Sequence, residues 1–346
     1  MKLEIRNPLE METWDDLIVN SGSSSFFHTR TWAEVLHNTY AYRPLYFCSL
    51  KPGADRLSIL IPFMEINSRI TGKRGVSLPF SDSAPLITDT VENTRALVGQ
   101  LIKYGRMNGW KYIEFRDNIF TDKSVSPYDS FYVHTLNLDQ TIDTLYEGLS
   151  SSNKRALRKA RREGCTFFTD NTNQGLKNYY RLHVLTRKRQ GVPPQSFSFF
   201  SRIYECIISR DKGNIFFVSY QGKPVAGMVL FEFNNHVLYK FGASDMAYQQ
   251  VRPNNLLFWE AIKWYAEKGY KTLHFGRTDR FHEGLRQFKS GWGASEGILN
   301  YFRYDIQHSA YILKNHADSA ARIHLLQKMP VAMLKMLGKV AYRHAG

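Results

Sequence analysis

The sequence predicts an α/β (α+β) protein of two tandem domains, each a mostly antiparallel mixed sheet flanked by helices, plus a C-terminal helical tail. Three observations predict it. The chain has 346 residues, long for a single core. Stretches with strand-like and helix-like patterns alternate along it. Finally, one ordered set of five elements occurs twice. L-Y-F-C-S-L, the turn K-P-G-A-D, L-S-I-L-I-P-F-M-E-I, V-S-L-P-F-S-D and a helix ending G-W-K-Y-I-E-F-R return as I-F-F-V-S-Y, Q-G-K-P, V-A-G-M-V-L-F-E-F, H-V-L-Y-K-F-G-A-S-D and a helix ending G-Y-K-T-L-H-F-G-R. Pairing Ser49 with Ser219, Ser81 with Ser244 and Gly109 with Gly269 gives an offset that drifts slowly, as duplication with loop insertions leaves it.

Taken in order, residues 9–40 read as two helices separated by S-G-S-S-S, with Phe26, Phe27, His28 and Trp32 opening the second. Strands follow from Pro44, then a helix from Asn93 to Met107 and a strand ending at Arg116. These make a first domain, 1–137. The second domain, 138–305, opens with the helix T-I-D-T-L-Y-E-G-L and continues into S-S-N-K-R-A-L-R-K-A-R-R-E-G. There Ser152 can cap a helix and Gly164 can end it, with Lys154, Arg158, Arg161 and Arg162 on one face. An anion lying across that face would relieve the repulsion; a solvated basic face explains it equally well.

A helical pair spans 174–210, and His183, Arg187 and Arg189 end its first member, where cations also complement the helix dipole. The most apolar helix is opened by Pro253 and Asn254 and closed by Gly269. A short strand, Thr272 to Phe275, leads to Gly276, after which Arg277, Asp279, Arg280, His282, Glu283, Arg286 and Lys289 crowd together with few apolar partners. Charge gathered just beyond a strand end reads as a site, with a solvated loop as the plainer alternative. The tail, 306–346, puts Leu326, Met329, Met333, Leu337 and Val340 on one face and Lys328, Lys335 and Lys339 opposite, with Pro330 between its halves. Such a helix can dock on the protein, on a second copy or on an anionic membrane, and docking on the protein is the expectation.

Composition narrows the chemistry. Lys and Arg number 46 against 31 Asp and Glu, a net +15 that points to an anionic partner: nucleic acid, a phosphorylated substrate or an acidic membrane surface. Cys48, Cys165 and Cys206 are odd in number and set in apolar runs, so no disulfide partner and no metal site is expected. The N-terminus is too acidic for a signal peptide, and no apolar run reaches the roughly 18 residues a membrane span needs. A cytoplasmic protein, soluble or peripheral at the inner face of the membrane, is expected. H-E-x-x-H, GxSxG, the P-loop and GxGxxG are all missing from the sequence. What remains is a helix N-terminus, Arg252, Asn254 and Asn255, able to cradle a phosphate or pyrophosphate beside the strand V-L-Y-K-F-G-A-S-D.

In S-S-N-K-R, V-A-G-M-V-L, F-G-A-S-D, R-P-N-N-L-L-F-W-E, L-H-F-G-R and G-L-R-Q-F-K-S-G-W-G the second half resembles the FemA/FemB-like branch of the GNAT acyltransferase superfamily. F-F-H-T-R-T-W and L-P-F-S-D resemble that family's degenerate first domain, so the likeness runs over about residues 20–305. The resemblance implies tandem GNAT-like domains that transfer an acyl or aminoacyl group onto an amine, the acceptor being a cell-envelope or surface-polymer precursor. It implies no tightly bound cofactor and a donor that is either aminoacyl-tRNA or acyl-CoA. Phe288 and Lys289 match the family's F-K, whose lysine faces the donor's phosphate and reacting carbonyl. Arg187 and Arg189 are candidates for the acceptor's diphosphate. Q-V-R-P-N-N lacks both glycines of the usual coenzyme A loop, and no sustained heptads supply the coiled-coil arm of some bridge-forming members, so the donor stays open.

For amine attack on an ester or thioester, Lys289 is the expected cation near the oxyanion. Arg277 and Arg286 would clamp phosphate, and Asp279 or Asp245 would take or orient the amine proton. Plainer readings stand beside these: an ion pair of Lys289 with Glu283 or Glu296, and a turn role for Asp245. Two rival functions remain, a nucleic-acid binder using basic residues interleaved with aromatics, as in K-N-Y-Y-R-L-H, and an acyl-CoA enzyme acting on a small molecule.

Overall fold

The computed structural model describes residues 3–22, 24–51, 53, 55–88, 94–120, 124–314 and 320–345. Strands are β1 (Glu4–Arg6), β2 (Arg43–Leu50), β3 (Leu57–Ser68), β4 (Gly72–Val76), β5 (Ile87–Thr88), β6 (Tyr112–Phe115), β7 (Asp129–Asn137), β8 (Thr166–Thr169), β9 (Gly213–Tyr220), β10 (Lys223–Phe233), β11 (His236–Ser244), β12 (Thr272–Asp279), β13 (Ser295–Asp305) and β14 (Ala310–Tyr311). The helices are α1 (Trp14–Val19), α2 (Arg30–Tyr40), α3 (Thr94–Met107), α4 (Ile142–Glu147), α5 (Ser151–Arg162), α6 (Asn173–Arg189), α7 (Phe197–Cys206), α8 (Pro253–Glu267), α9 (Glu283–Ser290), α10 (Ala320–Lys328) and α11 (Val331–Ala345). Asn93, where the helix α3 was expected to begin, lies outside the described residues, as do Pro52 and Ala54 of the expected turn and the tail positions Ala317 and Gly346.

The chain separates into two compact units, one of residues 1–131, 298–316 and 341–346, the other of residues 132–297 and 317–340. This division differs from breaks at 137 and 305, because a return strand groups its residues from Ile298 onward with the first unit.

In the first unit the strands run β1-β2-β3-β4-β6-β13. β2, β3 and β4 pair antiparallel, and β4 pairs parallel with β6 through Gly75↔Ile113 and Val76↔Glu114. In the second unit the order is β7-β12-β11-β10-β9-β8, with β8 to β11 antiparallel and β11 parallel to β12. The duplicated text therefore folds into a duplicated pattern, three antiparallel strands and then a parallel step across a helix.

The two copies part company after the parallel step. In the first unit V-S-L-P-F-S-D leaves the strand at Val76 instead of continuing it. Leu78 and Phe80 adopt left-handed φ of 47° and 60°, and Ser81 Oγ donates to Leu78 O at 2.5 Å. Ser77 N and Ala84 N then donate to the carbonyls of Glu114 and Arg116, at 2.8 and 2.9 Å. This loop takes up the hydrogen bonds at the end of β6 that a separating strand would leave open.

In the second unit the core gathers around α8, whose Leu256, Leu257, Phe258, Trp259, Ala261, Ile262 and Tyr265 are all buried. A helix apolar on most of its circumference must be covered on most sides, and β9, β10, β12, α4 and α5 supply residues to the same core. The tail settles on this unit through Leu326 and Leu334. Gly338 backs onto the Pro194 carbonyl so closely that an added Cβ would stand 1.9 Å from it. Here the expectation needs correcting: Met333, Leu337 and Val340 face solvent, whereas Leu334 and Gly338 face the protein. Pro330 ends α10, so the stripe read through the proline does not continue in phase onto α11.

Candidate functional site

The site is built where β11 and β12 separate. They pair only at His236↔Thr272, Val237↔Leu273 and Leu238↔His274, although β11 runs on to Ser244 and β12 to Asp279. A bulge sets this up: the β10 register passes from Val229↔Phe241 to Leu230↔Tyr239, so Lys240 is the extra residue and β11 bends there. Tyr239 packs its ring on Phe258 of α8, centroids 4.8 Å apart, and its hydroxyl lies where a Cβ on Gly242 would be 1.7 Å away. Only glycine admits that contact.

β12 is longer than the sequence indicated. It was expected to end at Phe275, but Gly276, with φ at +69°, kinks the strand without ending it, and the strand extends through Asp279. Arg277 and Asp279 are accordingly exposed strand residues alternating with buried Thr278. The segment after them is the helix α9, not a solvated loop.

Lys289 is 3% exposed. Its Nζ donates to the carbonyl oxygens of Gly276 at 3.0 Å and Arg277 at 3.1 Å, so the ammonium sits on the kink, two residues past the last β11 partner. A buried cation is tolerated only when its donors are satisfied, and the turned-out carbonyls at Gly276 provide that. Phe288 anchors the helix that carries Lys289: its ring meets Phe258 at 5.2 Å and buried Trp292 at 5.7 Å. The ion pair that offered the plainer reading of Lys289 belongs to Arg286 instead. Arg286 grips Glu296 through Nε at 2.7 Å and Nη2 at 2.8 Å, reaches Glu283 at 3.4 Å, and lies 4.1 Å from the Tyr132 ring centre.

The end of β11 is joined to two helices. Thr186 of α6 exchanges hydrogen bonds with Ser244, its Oγ1 donating to the carbonyl at 3.1 Å and accepting the amide at 2.9 Å. Asn254 Nδ2 donates to Ser244 Oγ at 3.3 Å. Asn255 Nδ2 donates to Asn153 Oδ1 at 3.1 Å, and Asn153 Nδ2 to the Gly291 carbonyl at 2.9 Å. The α8 N-terminus, the start of α5 and the end of α9 are thus tied by side-chain amides. Arg252 precedes α8 in the left-handed region, φ 59°, and gives the helix no side-chain cap; Pro253 has no N–H and the Asn255 amide donates to the Arg252 carbonyl at 3.2 Å, so the Asn254 amide is the first-turn donor left to meet an anion.

The remaining expected residues fall into two groups. Asp245, Arg187 and Arg189 stand with this cluster. Asp245 Oδ1 accepts the Ala247 amide at 3.1 Å, the turn role, and also lines a cavity of about 400 Å³ with Asn178, Arg181, Lys223 and Tyr248. Arg187 donates to Gln190 at 3.3 Å and helps depress the neighbouring His183, whose burial, more than that charge, brings it down to about 3. The Arg189 carbonyl accepts Gln327 of α10 at 2.8 Å. Lys154 and Arg158 are drawn away: Lys154 Nζ donates to the Glu147 carbonyl at 2.9 Å and stands 5.5 Å from the Tyr146 ring, and Arg158 leans back on the Lys154 carbonyl. Asp279 is exposed, 4.0 Å from His282.

One residue escaped sequence reasoning. His134 of β7 is fully buried, its Nε2 3.0 Å from Ser290 Oγ and 3.1 Å from Glu296, while Nδ1 has no partner. Burial first, then the nearby Lys289 charge, lowers its pKa and keeps the ring neutral. The available signal was a polar ring at the position where alternation in F-Y-V-H-T-L demands the face of Leu136.

Comparison with known proteins agrees with this construction. The sequence profile of the acetyltransferase (GNAT) domain family matches residues 150–290. A lipid II:glycine glycyltransferase of Staphylococcus epidermidis is 22% identical over 314 residues, 71% of this chain and 72% of that protein. Among solved structures, FemX superposes with a TM-score of 0.67 at 15% identity, over 87% of this chain and 97% of FemX. A tandem GNAT protein from the clavulanic acid biosynthesis pathway does so with a TM-score of 0.57 at 10% identity, over 88% and 98%. With a duplicated sheet, a bulged and splayed second copy and an F-K pair locked at its mouth, the chain has the tandem GNAT fold, carries a GNAT-family match over residues 150–290 and is similar to proteins of the FemA/FemB-like branch.

Proposed function

We propose that this protein transfers an aminoacyl group from an activated ester to the amine of a phosphorylated cell-envelope precursor, with aminoacyl-tRNA as donor. The observation that carries this reading is the buried ammonium of Lys289, held on the kink of β12 just past the separation of β11 from β12. Relatives named lipid II:glycine glycyltransferase support transfer of an aminoacyl group and the lipid-linked class of acceptor. In the reaction the acceptor nitrogen attacks the ester carbonyl carbon, the C–N bond forms, and the C–O bond to the donor's hydroxyl breaks. The amine loses one proton and the departing alkoxide gains one.

Lys289 contributes a fixed positive charge beside the carbonyl oxygen as it becomes an oxyanion, at no reorganisation cost because strand carbonyls already orient it. Phe288 holds α9 in register. Asn254, Asn255 and Arg252 receive phosphate of the donor at the α8 N-terminus, and Arg277 is a further phosphate clamp. Arg187 and Arg189 receive the acceptor's diphosphate. Asp245 or Asp279 takes the amine proton, Asp245 being the better sheltered. Such a donor places the reaction on the cytoplasmic side of the membrane; among the described residues no helix is long and apolar enough to cross one.

The test is transfer of labelled amino acid from charged tRNA to a lipid-linked muropeptide precursor, run beside acetyl-CoA and a long-chain acyl-CoA. Product from charged tRNA, lost in Lys289→Met, supports the reading. Product from an acyl-CoA alone replaces the donor, and stabilisation by arbitrary RNA without any product replaces the function with nucleic-acid binding.

A further inference from the structure

The helix α11 carries an apolar ridge that the fold leaves uncovered. Met333, Met336, Leu337 and Val340 are 49, 66, 39 and 52% exposed and follow the i, i+3, i+4, i+7 spacing of a single stripe. The ridge cannot turn inward, because the opposite side of the helix is already committed. Leu334 is fully buried, Gly338 is pressed on the Pro194 carbonyl, and the α10 residue Gln327 is bonded to the Arg189 carbonyl. At 3.6 residues per turn Arg343 borders the ridge and Lys339 lies next round the helix, both exposed, while Lys335 sits towards the far side with its Nζ 5.5 Å from the Tyr180 ring centre. From Ser319 to Gly346 the sequence holds no acidic residue, while the whole chain carries +15.

We propose that this face of α11 is a docking surface for an anionic lipid bilayer. The ridge enters the interface between headgroups and acyl chains, and Arg343 and Lys339 at its side contact lipid phosphates. Charge complementarity selects this occupant. A protein partner for so apolar a ridge would need an acidic rim of its own, and a second copy would set the two basic strips against each other. The inference rests on the geometry of α11, so it stands or falls separately from the transfer reaction.

The experiment is co-sedimentation of the full chain with vesicles of phosphatidylcholine alone or mixed with phosphatidylglycerol, at low and high salt. The expected result is partitioning at least ~10-fold stronger onto the anionic vesicles and weakened by salt. Met336→Asp with Leu337→Asp should abolish it, and Lys339→Glu with Arg343→Glu should remove the preference for anionic lipid, both at an unchanged unfolding midpoint. Equal binding to both vesicle types, or binding that both variants retain, overturns the proposal. So does a dimer in light scattering that the Met336→Asp, Leu337→Asp variant converts to monomer, since a second copy would then be the occupant.

Discussion

Replacing Lys289 with methionine keeps the volume and removes the ammonium. Two strand carbonyls, the buried Gly276 O and the half-buried Arg277 O, then lose the donor that reaches them at 3.0 and 3.1 Å. Each buried acceptor left without a partner costs about 1–3 kcal/mol, and the relief of one desolvated charge offsets part of the total. A net loss of about 2–4 kcal/mol follows, equivalent to a fall in midpoint of roughly 5–10 °C for a unit of this size. Urea unfolding followed by circular dichroism measures it. Hydrogen exchange should locate the loosening at the end of β12 and at α9. Lys289→Arg should recover little, because the planar guanidinium cannot place its donors on two successive carbonyls from the same buried position. An unfolding curve identical to that of the parent chain would refute the reasoning, since the ammonium would then contribute nothing to the kink.

Three further outcomes follow. Gly242→Ala forces a methyl group into the Tyr239 hydroxyl and should cost about 1–3 kcal/mol; adding Tyr239→Phe should return part of that stability in the same urea assay. Asn153→Ala cuts the amide chain from Asn255 to Gly291, and about 1–2 kcal/mol of destabilisation is expected, read as earlier exchange of the α8 first-turn amides. Mild acid should weaken the fold through His183. His183 is brought down to about 3 from 6.5, so below pH 6.5 the unfolded chain takes up a proton that the folded chain refuses. Stability therefore falls as pH drops, by up to about 1.4 kcal/mol per unit, and a His183→Gln variant should show a flatter midpoint between pH 7 and pH 5.5.

Much of the architecture was legible because duplication writes the same strand text twice, and periodicity survives where individual residues do not. The order of β2, β3, β4 and β6 could be read against β9, β10, β11 and β12 from Ser49/Ser219 and Gly109/Gly269 alone. What could not be read was the local break in that equivalence: Leu78 and Phe80 in left-handed conformations give no signal in V-S-L-P-F-S-D. Gly276 misled in a similar way, since a glycine after an apolar strand can end the strand or kink it, and only the Lys289 hydrogen bonds decide for the kink. The charged crowd from Arg277 to Lys289 stands out in the sequence, but its pairing depends on side-chain direction. Arg286 faces Glu296 while its neighbour three residues on turns inward, a helical separation of faces visible only once α9 was known to be a helix. His134 was invisible for a different reason. Its partners Ser290 and Glu296 lie more than 150 residues away in sequence, and no local pattern announces so distant a contact.

The most direct test of the account is single-turnover transfer from charged tRNA to the lipid-linked precursor, comparing the parent chain with Lys289→Met at a temperature where both are folded. The account predicts a rate about 100–1,000-fold lower in the variant, the usual loss when one oxyanion-stabilising group is removed, with donor binding largely retained. A variant that transfers at the parent rate would contradict it and move the reacting carbonyl away from the kink in β12.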